Sequence, residues 1–82
     1  MNIEHIKNLL QASPFRPFRL RTADGKSVPV LHQEVVFLEP KADVVIVTKE
    51  KGGFFFMEAS ALTQAETIKD PTELQTLIGE AR

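Results

Sequence analysis

Phe18-Arg19-Leu20-Arg21-Thr22-Ala23-Asp24-Gly25-Lys26-Ser27-Val28-Pro29-Val30 reads as a β-hairpin, and its register decides which side chains the fold can bury. Apolar and polar residues alternate from Phe18 to Thr22, the period of a half-buried strand. Asp24-Gly25 marks the turn, and Val28 and Val30 belong to the returning strand. A two-residue loop at Asp24-Gly25 pairs Arg21 with Val28 and Arg19 with Val30, mixing charged and apolar faces. A three-residue loop, Ala23-Asp24-Gly25, instead pairs Leu20 with Val28 and Phe18 with Val30. That register keeps one apolar face whole, whereas a slipped one exposes all of it. Three-residue hairpins combine a type I turn with a left-handed residue in a bulge, the natural place for Gly25. Pro29 then lies opposite Arg19 on the outer face, where its missing N–H marks an edge or a bend.

Upstream, Ile3, Ile6, Leu9 and Leu10 recur at helical spacing and Asn2 is placed to cap the first turn, which predicts a helix over residues 2–12. Ser13-Pro14 ends it, because proline disfavours helical geometry in the residue before it. Pro14-Phe15-Arg16-Pro17 is an extended, stiff linker into the first strand. Downstream, His32-Gln33-Glu34 is an irregular connection, Val35 to Glu39 a strand and Pro40 to Asp43 a turn. Val44 to Thr48 is β-branched throughout, the composition of the most buried strand. Phe54 to Met57 is apolar on both faces, which leaves one face to meet a helix or another subunit. Leu62 to Ile68 forms a last strand after a break at Ala59-Ser60-Ala61. Asp70, Pro71 and Glu73 make a reciprocal helix start, and Leu74, Leu77, Ile78 and Ala81 form one apolar stripe on a helix over residues 71–81. The expected fold is mainly β (α+β): a small five-stranded antiparallel SH3-like or Sm-like barrel over residues 18–68, with an N-terminal and a C-terminal helix.

The 82 residues suffice for a single domain, 1–82, and not for two. Hydrophobic residues at 43% and charged residues at 26% are ordinary globular values and argue against disorder. A chain of this length buries only about 60–65% of its unfolded surface, so its core is thin and its Phe rings must supply much of it. The lack of cysteine removes disulfides, thiolate zinc sites and thiol catalysis together. Glu4, His5 and Lys7 break up the N-terminal apolar residues, unlike a signal peptide, and no apolar run approaches the ~20 residues that span a bilayer. The expected setting is the cytoplasm, with no membrane partner.

The net charge of −1 favours neither nucleic acid nor an acid-binding trap. Its distribution is uneven. Residues 1–26 hold Lys7, Arg16, Arg19, Arg21 and Lys26 against Glu4 and Asp24, a net +3, and the remainder carries −4. Such a dipolar surface steers a partner or helps identical subunits dock; ordinary surface scatter gives the same pattern.

Pro14-Phe15-Arg16-Pro17-Phe18-Arg19-Leu20, followed by Ala23-Asp24-Gly25-Lys26 and Val30-Leu31-His32-Gln33-Glu34, resembles a group of very short bacterial proteins of unknown function. These begin with a helix and continue with a Pro-Phe-x-Pro-Phe motif, an Asp-Gly-Arg/Lys turn and a His-Pro-Glu-like corner. The resemblance covers residues 1 to about 68 and implies a fold rather than an activity. Gln33 stands where the pattern has proline, and the helix after Asp70 is an addition to it. A second likeness is to Sm-like RNA-binding proteins, which place a helix before five bent strands and carry Asp-Gly in the first hairpin. Their Asp-x-x-x-Asn pattern and second-motif glycine are missing from residues 31–39 and 59–68, so ring assembly and RNA binding do not carry over.

Catalytic chemistry finds little to work with. A nucleophile needs an adjacent base held by a third group, and the bases on offer are His5, on a helix, and His32. His32 and Glu34 share one side of a strand, but two ligands are too few for a metal site. Gly52-Gly53 lacks the Lys-Ser/Thr that completes a phosphate loop. No cofactor and no metal are expected. Arg16, Arg19 and Arg21 near Phe15 and Phe18 form the candidate nucleic-acid contact, since arginine grips phosphate and aromatic rings stack bases. The hairpin register turns Phe18 inward and weakens it. The Phe54–Phe56 run, the Val44–Val47 run and the Leu74/Leu77/Ile78 stripe exceed what a thin core hides, and exposed apolar surface marks interfaces. The expectation is therefore a non-catalytic interaction module that self-associates as a homodimer or higher oligomer. Its interface residues are Phe54, Phe56, Leu74, Leu77 and Ile78. The rival is a small nucleic-acid-binding protein.

Overall fold

A strand with apolar side chains on one side only must lay that side on something, and here two such layers lie on each other. The computed structural model describes residues 1–49, 51–69 and Thr72. In chain order come helix α1 (Ile3–Gln11) and strands β1 (Phe18–Thr22), β2 (Ser27–Val30), β3 (Val36–Glu39), β4 (Val44–Thr48), β5 (Phe54–Glu58) and β6 (Leu62–Thr67). Short 3-10 turns, Gln33–Val35 and Ala59–Ala61, separate β2 from β3 and β5 from β6. Leu74, Leu77 and Ile78 of the expected C-terminal helix lie outside the described residues.

The hairpin takes the register that its faces demand. Phe18 pairs with Val30 and Leu20 with Val28. Within the loop the Gly25 N–H donates to the Thr22 carbonyl (3.0 Å) and the Thr22 N–H to the Lys26 carbonyl (2.9 Å). Gly25 has φ +89°, a conformation that a Cβ would strain. The Thr22 hydroxyl closes the turn from the side, accepting from the Lys26 N–H (2.9 Å) and donating to the Asp24 carboxylate.

β1 is central in one antiparallel sheet, ordered β2-β1-β6, and β4 is central in the other, ordered β3-β4-β5. The chain passes between the sheets at the two 3-10 turns. At the second, the Ala59 N–H donates to the Asp43 carbonyl (2.7 Å) while the Ala61 carbonyl accepts from the Ala23 N–H (2.9 Å). Three residues thus hand the strand from one sheet to the other. This is where the structure departs from the expected five-stranded barrel. There are six strands in two sheets, and no closed barrel forms among the described residues. The tight 3-10 geometry interrupts the ladders where a barrel would need them to continue.

Between the sheets, Phe18, Leu20, Val28, Val30 and Leu62 meet Val36, Val45 and Val47. Ile6 of α1 is fully buried in the same cluster, with Ile3, Leu9 and Leu10 half-buried around it. Burying a side chain of that size contributes about 1.5–3 kcal/mol, which outweighs the weak helix-forming tendency of a nine-residue segment. Asn2 caps the helix, its side chain accepting from the Glu4 N–H (2.8 Å), and the Met1 amino group donates to the Ala59 and Leu62 carbonyls (3.0 Å each). The helix ends before a cis Ser13-Pro14 bond. Phe15 then packs tilted against Phe18, with ring centroids 6.1 Å apart. No helix among the described residues is long and apolar enough to cross a membrane.

Two outcomes test the hairpin. Gly25→Ala is expected to cost about 1 kcal/mol or more in urea unfolding, since alanine resists that φ; a cost near zero would mean the bulge is not as described. The Thr22 hydroxyl, with help from Lys26, holds the Asp24 carboxyl below its ordinary value of 3.8. A depressed folded-state value means the turn's stabilisation is full above the unfolded value and fades as pH falls through the folded one. NMR titration is expected to give Asp24 a lowered pKa that rises in Thr22→Val, and an unchanged pKa in that variant would rule out the contact.

Candidate interaction surface

The pleat of a strand sends alternate side chains to opposite faces, so burying Val45 and Val47 turns Val44, Ile46 and Thr48 outward. Strand pairing then lines up their neighbours. Phe37 of β3 lies beside Ile46, and Ile46 lies beside Phe56 of β5. At one end of this row Glu39 and Glu58 flank Val44; at the other, Phe54 stands beside Thr48. Phe37, Phe54 and Phe56 are 59%, 59% and 62% exposed, so three large rings stand in solvent on a single sheet face. Phe55 and Met57, on the opposite parity, are half-buried against the core.

Phe54 and Phe56, the strand residues singled out from sequence, thus lie together on this face. The Val44–Val47 run divides by parity: Val45 and Val47 enter the central cluster, Ile46 is half-buried on the outer face, and Val44, on that same face, is nonetheless buried. Phe37 escaped sequence reasoning. Its signal is the unbroken apolar run Val36-Phe37-Leu38, which denies β3 a polar face just as Phe54 to Met57 denies β5 one.

The outer face of the other sheet is of a different kind. Arg19 and Arg21 of β1 share it with Ser27 and Pro29 of β2 and with Gln64 and Glu66 of β6. The Glu66 carboxylate lies 2.5 Å from Arg21 Nε and 3.8 Å from Arg19 Nε. A negative charge therefore sits against two of the three candidate nucleic-acid contacts, while the third, Arg16, is exposed on the linker. The rings of Phe15 and Phe18 face each other and the core rather than these arginines. Sequence reasoning could not place Glu66, because nothing local pairs the last strand with the first.

A cleft of about 710 Å³ opens between the first hairpin and β5, lined by Val28, Phe55, Met57 and Ala61 together with Asp24 and Lys26. Those last two pair with each other at 3.8 Å, and the Thr22 hydroxyl there is occupied by the turn. His32 and Glu34 are exposed at the first 3-10 turn. Among the described residues no group of three or more histidine and acidic side chains could hold a metal ion.

Comparison with protein-family models, with curated proteins and with solved structures yields no match. The surface is therefore read from its own chemistry.

Glu66→Gln is expected to destabilise the fold by up to about 1 kcal/mol at low salt, since these groups are partly exposed, and by less at high salt. An equal loss at both ionic strengths, measured by urea unfolding, would assign the effect to packing instead.

Proposed function

We propose that this chain is a non-catalytic interaction module whose working surface is the outer face of β3-β4-β5. One observation carries the reading: Phe37, Phe54 and Phe56 each leave about three-fifths of their surface in water on one face. Covering one such ring removes about 120 Å² of apolar surface, worth about 3 kcal/mol. Three of them are of the same order as the about 4–15 kcal/mol that association costs, which suits modest, reversible binding. The stripe Leu74, Leu77 and Ile78 belongs to this reading by sequence pattern alone.

The rival function, nucleic-acid binding through Arg16, Arg19 and Arg21, has less support because Glu66 offsets the charge of its central pair. The two-sheet order supports regarding the scaffold as an opened SH3-like or Sm-like barrel, the Pro-Phe-x-Pro-Phe pattern supports kinship with very short bacterial proteins of unknown function, and the proposed setting is the cytoplasm. Neither likeness supplies an activity, since function resides in the site.

Phe56→Asp is expected to leave unfolding of the dilute protein within about 0.5 kcal/mol of wild type while lowering the binding of an apolar fluorescent dye such as ANS. A loss of about 3–5 kcal/mol, the cost of deleting a core Phe, or unchanged dye binding would remove the reading.

A further inference from the structure

We infer that the partner is a second copy of this chain, seated face to face on β3-β4-β5 with strands opposed, about a two-fold axis along the row Phe37–Ile46–Phe56. The inference rests on the docking surface proposed above and names what occupies it. A two-fold interface must be self-complementary. The row crosses all three strands at one level, so an axis along it lays Phe37 on its own equivalent and Phe56 on its own equivalent. The levels on either side then change places, and Glu58 of one copy comes over the Phe54 end of the other.

Charge selects this axis over the other one that a flat sheet face permits. An axis along β4 would stack the Glu39/Glu58 ends, opposing two carboxylates from each copy, and like charges across an interface are costly. The axis along the row sends that acidic end to the level of Thr48 and Phe54. Beyond this level the β4–β5 connection carries the exposed Lys51, while Lys49 turns to the opposite face, its ammonium 4.3 Å from the Phe55 ring centroid. At the acidic end, Lys41 and Asp43 cancel, so Glu39 and Glu58 set its sign.

Area points the same way. The three rings expose about 350 Å² together, nearly half of the ~800 Å² that each partner gives to a standard interface. Glu39, Thr48, Glu58 and Lys51, all exposed around the row, supply a polar rim. Among the described residues, the charged outer face of the other sheet offers no counterpart to the rings, so the matching patch on a second copy is this same patch. A dimer of this size is concentration-dependent rather than permanent.

Sedimentation equilibrium from micromolar to millimolar protein is expected to show wild type passing from monomer to dimer, and the Phe37→Asp/Phe56→Asp variant staying monomeric with its circular dichroism unchanged. Orientation is read by cross-linking. The chain has no cysteine, so Thr48→Cys and Glu58→Cys each carry one thiol. Stacked sheets lie about 10 Å apart, too far for a disulfide, so a short bis-maleimide is the linker. Mixed variants are expected to join to each other, and each alone to give little product. Self-joining of Thr48→Cys without the mixed product would overturn the opposed orientation, since an axis along β4 lays Thr48 on its own equivalent. Wild type that stays monomeric throughout would overturn the second copy as partner and leave the docking surface standing. A dimer that survives Phe37→Asp/Phe56→Asp would overturn the surface itself.

Discussion

Strand parity is the constraint on which the rest of this structure depends. Each sheet of three strands has one face to give to the core, and the pairing of Phe18 with Val30 and Leu20 with Val28 settles which face the first sheet gives. Val45 and Val47 make the matching choice in the second sheet, flanked by Val36 across the ladder. Once these side chains point inward, every neighbour one residue along points outward, whatever its chemistry. Ile6 then enters as the one fully buried side chain of α1.

Parity has opposite consequences in the two sheets. In β2-β1-β6 the outward positions carry Arg19, Arg21, Gln64 and Glu66, which hydration and ion pairing satisfy. In β3-β4-β5 the outward positions carry Phe37, Ile46, Phe54 and Phe56, which water does not satisfy. The same backbone rule therefore gives one charged face and one apolar face. The 3-10 corners keep these identities separate, because a strand that crosses at Ala59–Ala61 changes sheet within a single turn.

Much of this was legible from local pattern. Alternation in Phe18 to Val30 and the loop length at Gly25 yield the register, the bulge and the inward turn of Phe18. Asn2 and the spacing of Ile3, Ile6, Leu9 and Leu10 yield the helix, and each apolar run yields its strand. What local pattern does not hold is long-range: the pairing of β6 with β1, and with it the Glu66 contact, joins residues 45 positions apart. The split into two sheets was hidden for a related reason. Ala59-Ser60-Ala61 reads as a break, but whether a break bends a barrel or divides it depends on ladders made elsewhere. Phe37 was missed because one ring in a four-residue strand looks like core until its register with Val47 and Ile46 is known.

Aromatic residues favour strands wherever they stand, and propensity alone is one account of three outward Phe rings. The other sheet argues against that. Its outward positions are filled by arginine, glutamine, glutamate, serine and proline, and its strands are as long as those of β3-β4-β5, with one register shift between Arg21 and Thr22. Polar side chains therefore suffice for a strand in this fold, and Thr48 shows that they suffice in β4 as well. Nor do the rings serve the core, since parity keeps them out of it. With strand formation and core packing both met without them, the exposure of Phe37, Phe54 and Phe56 is what the proposed docking surface rests on. A thin core makes that exposure costly to keep, because exposed rings invite indiscriminate contact in a domain with little stability to spare.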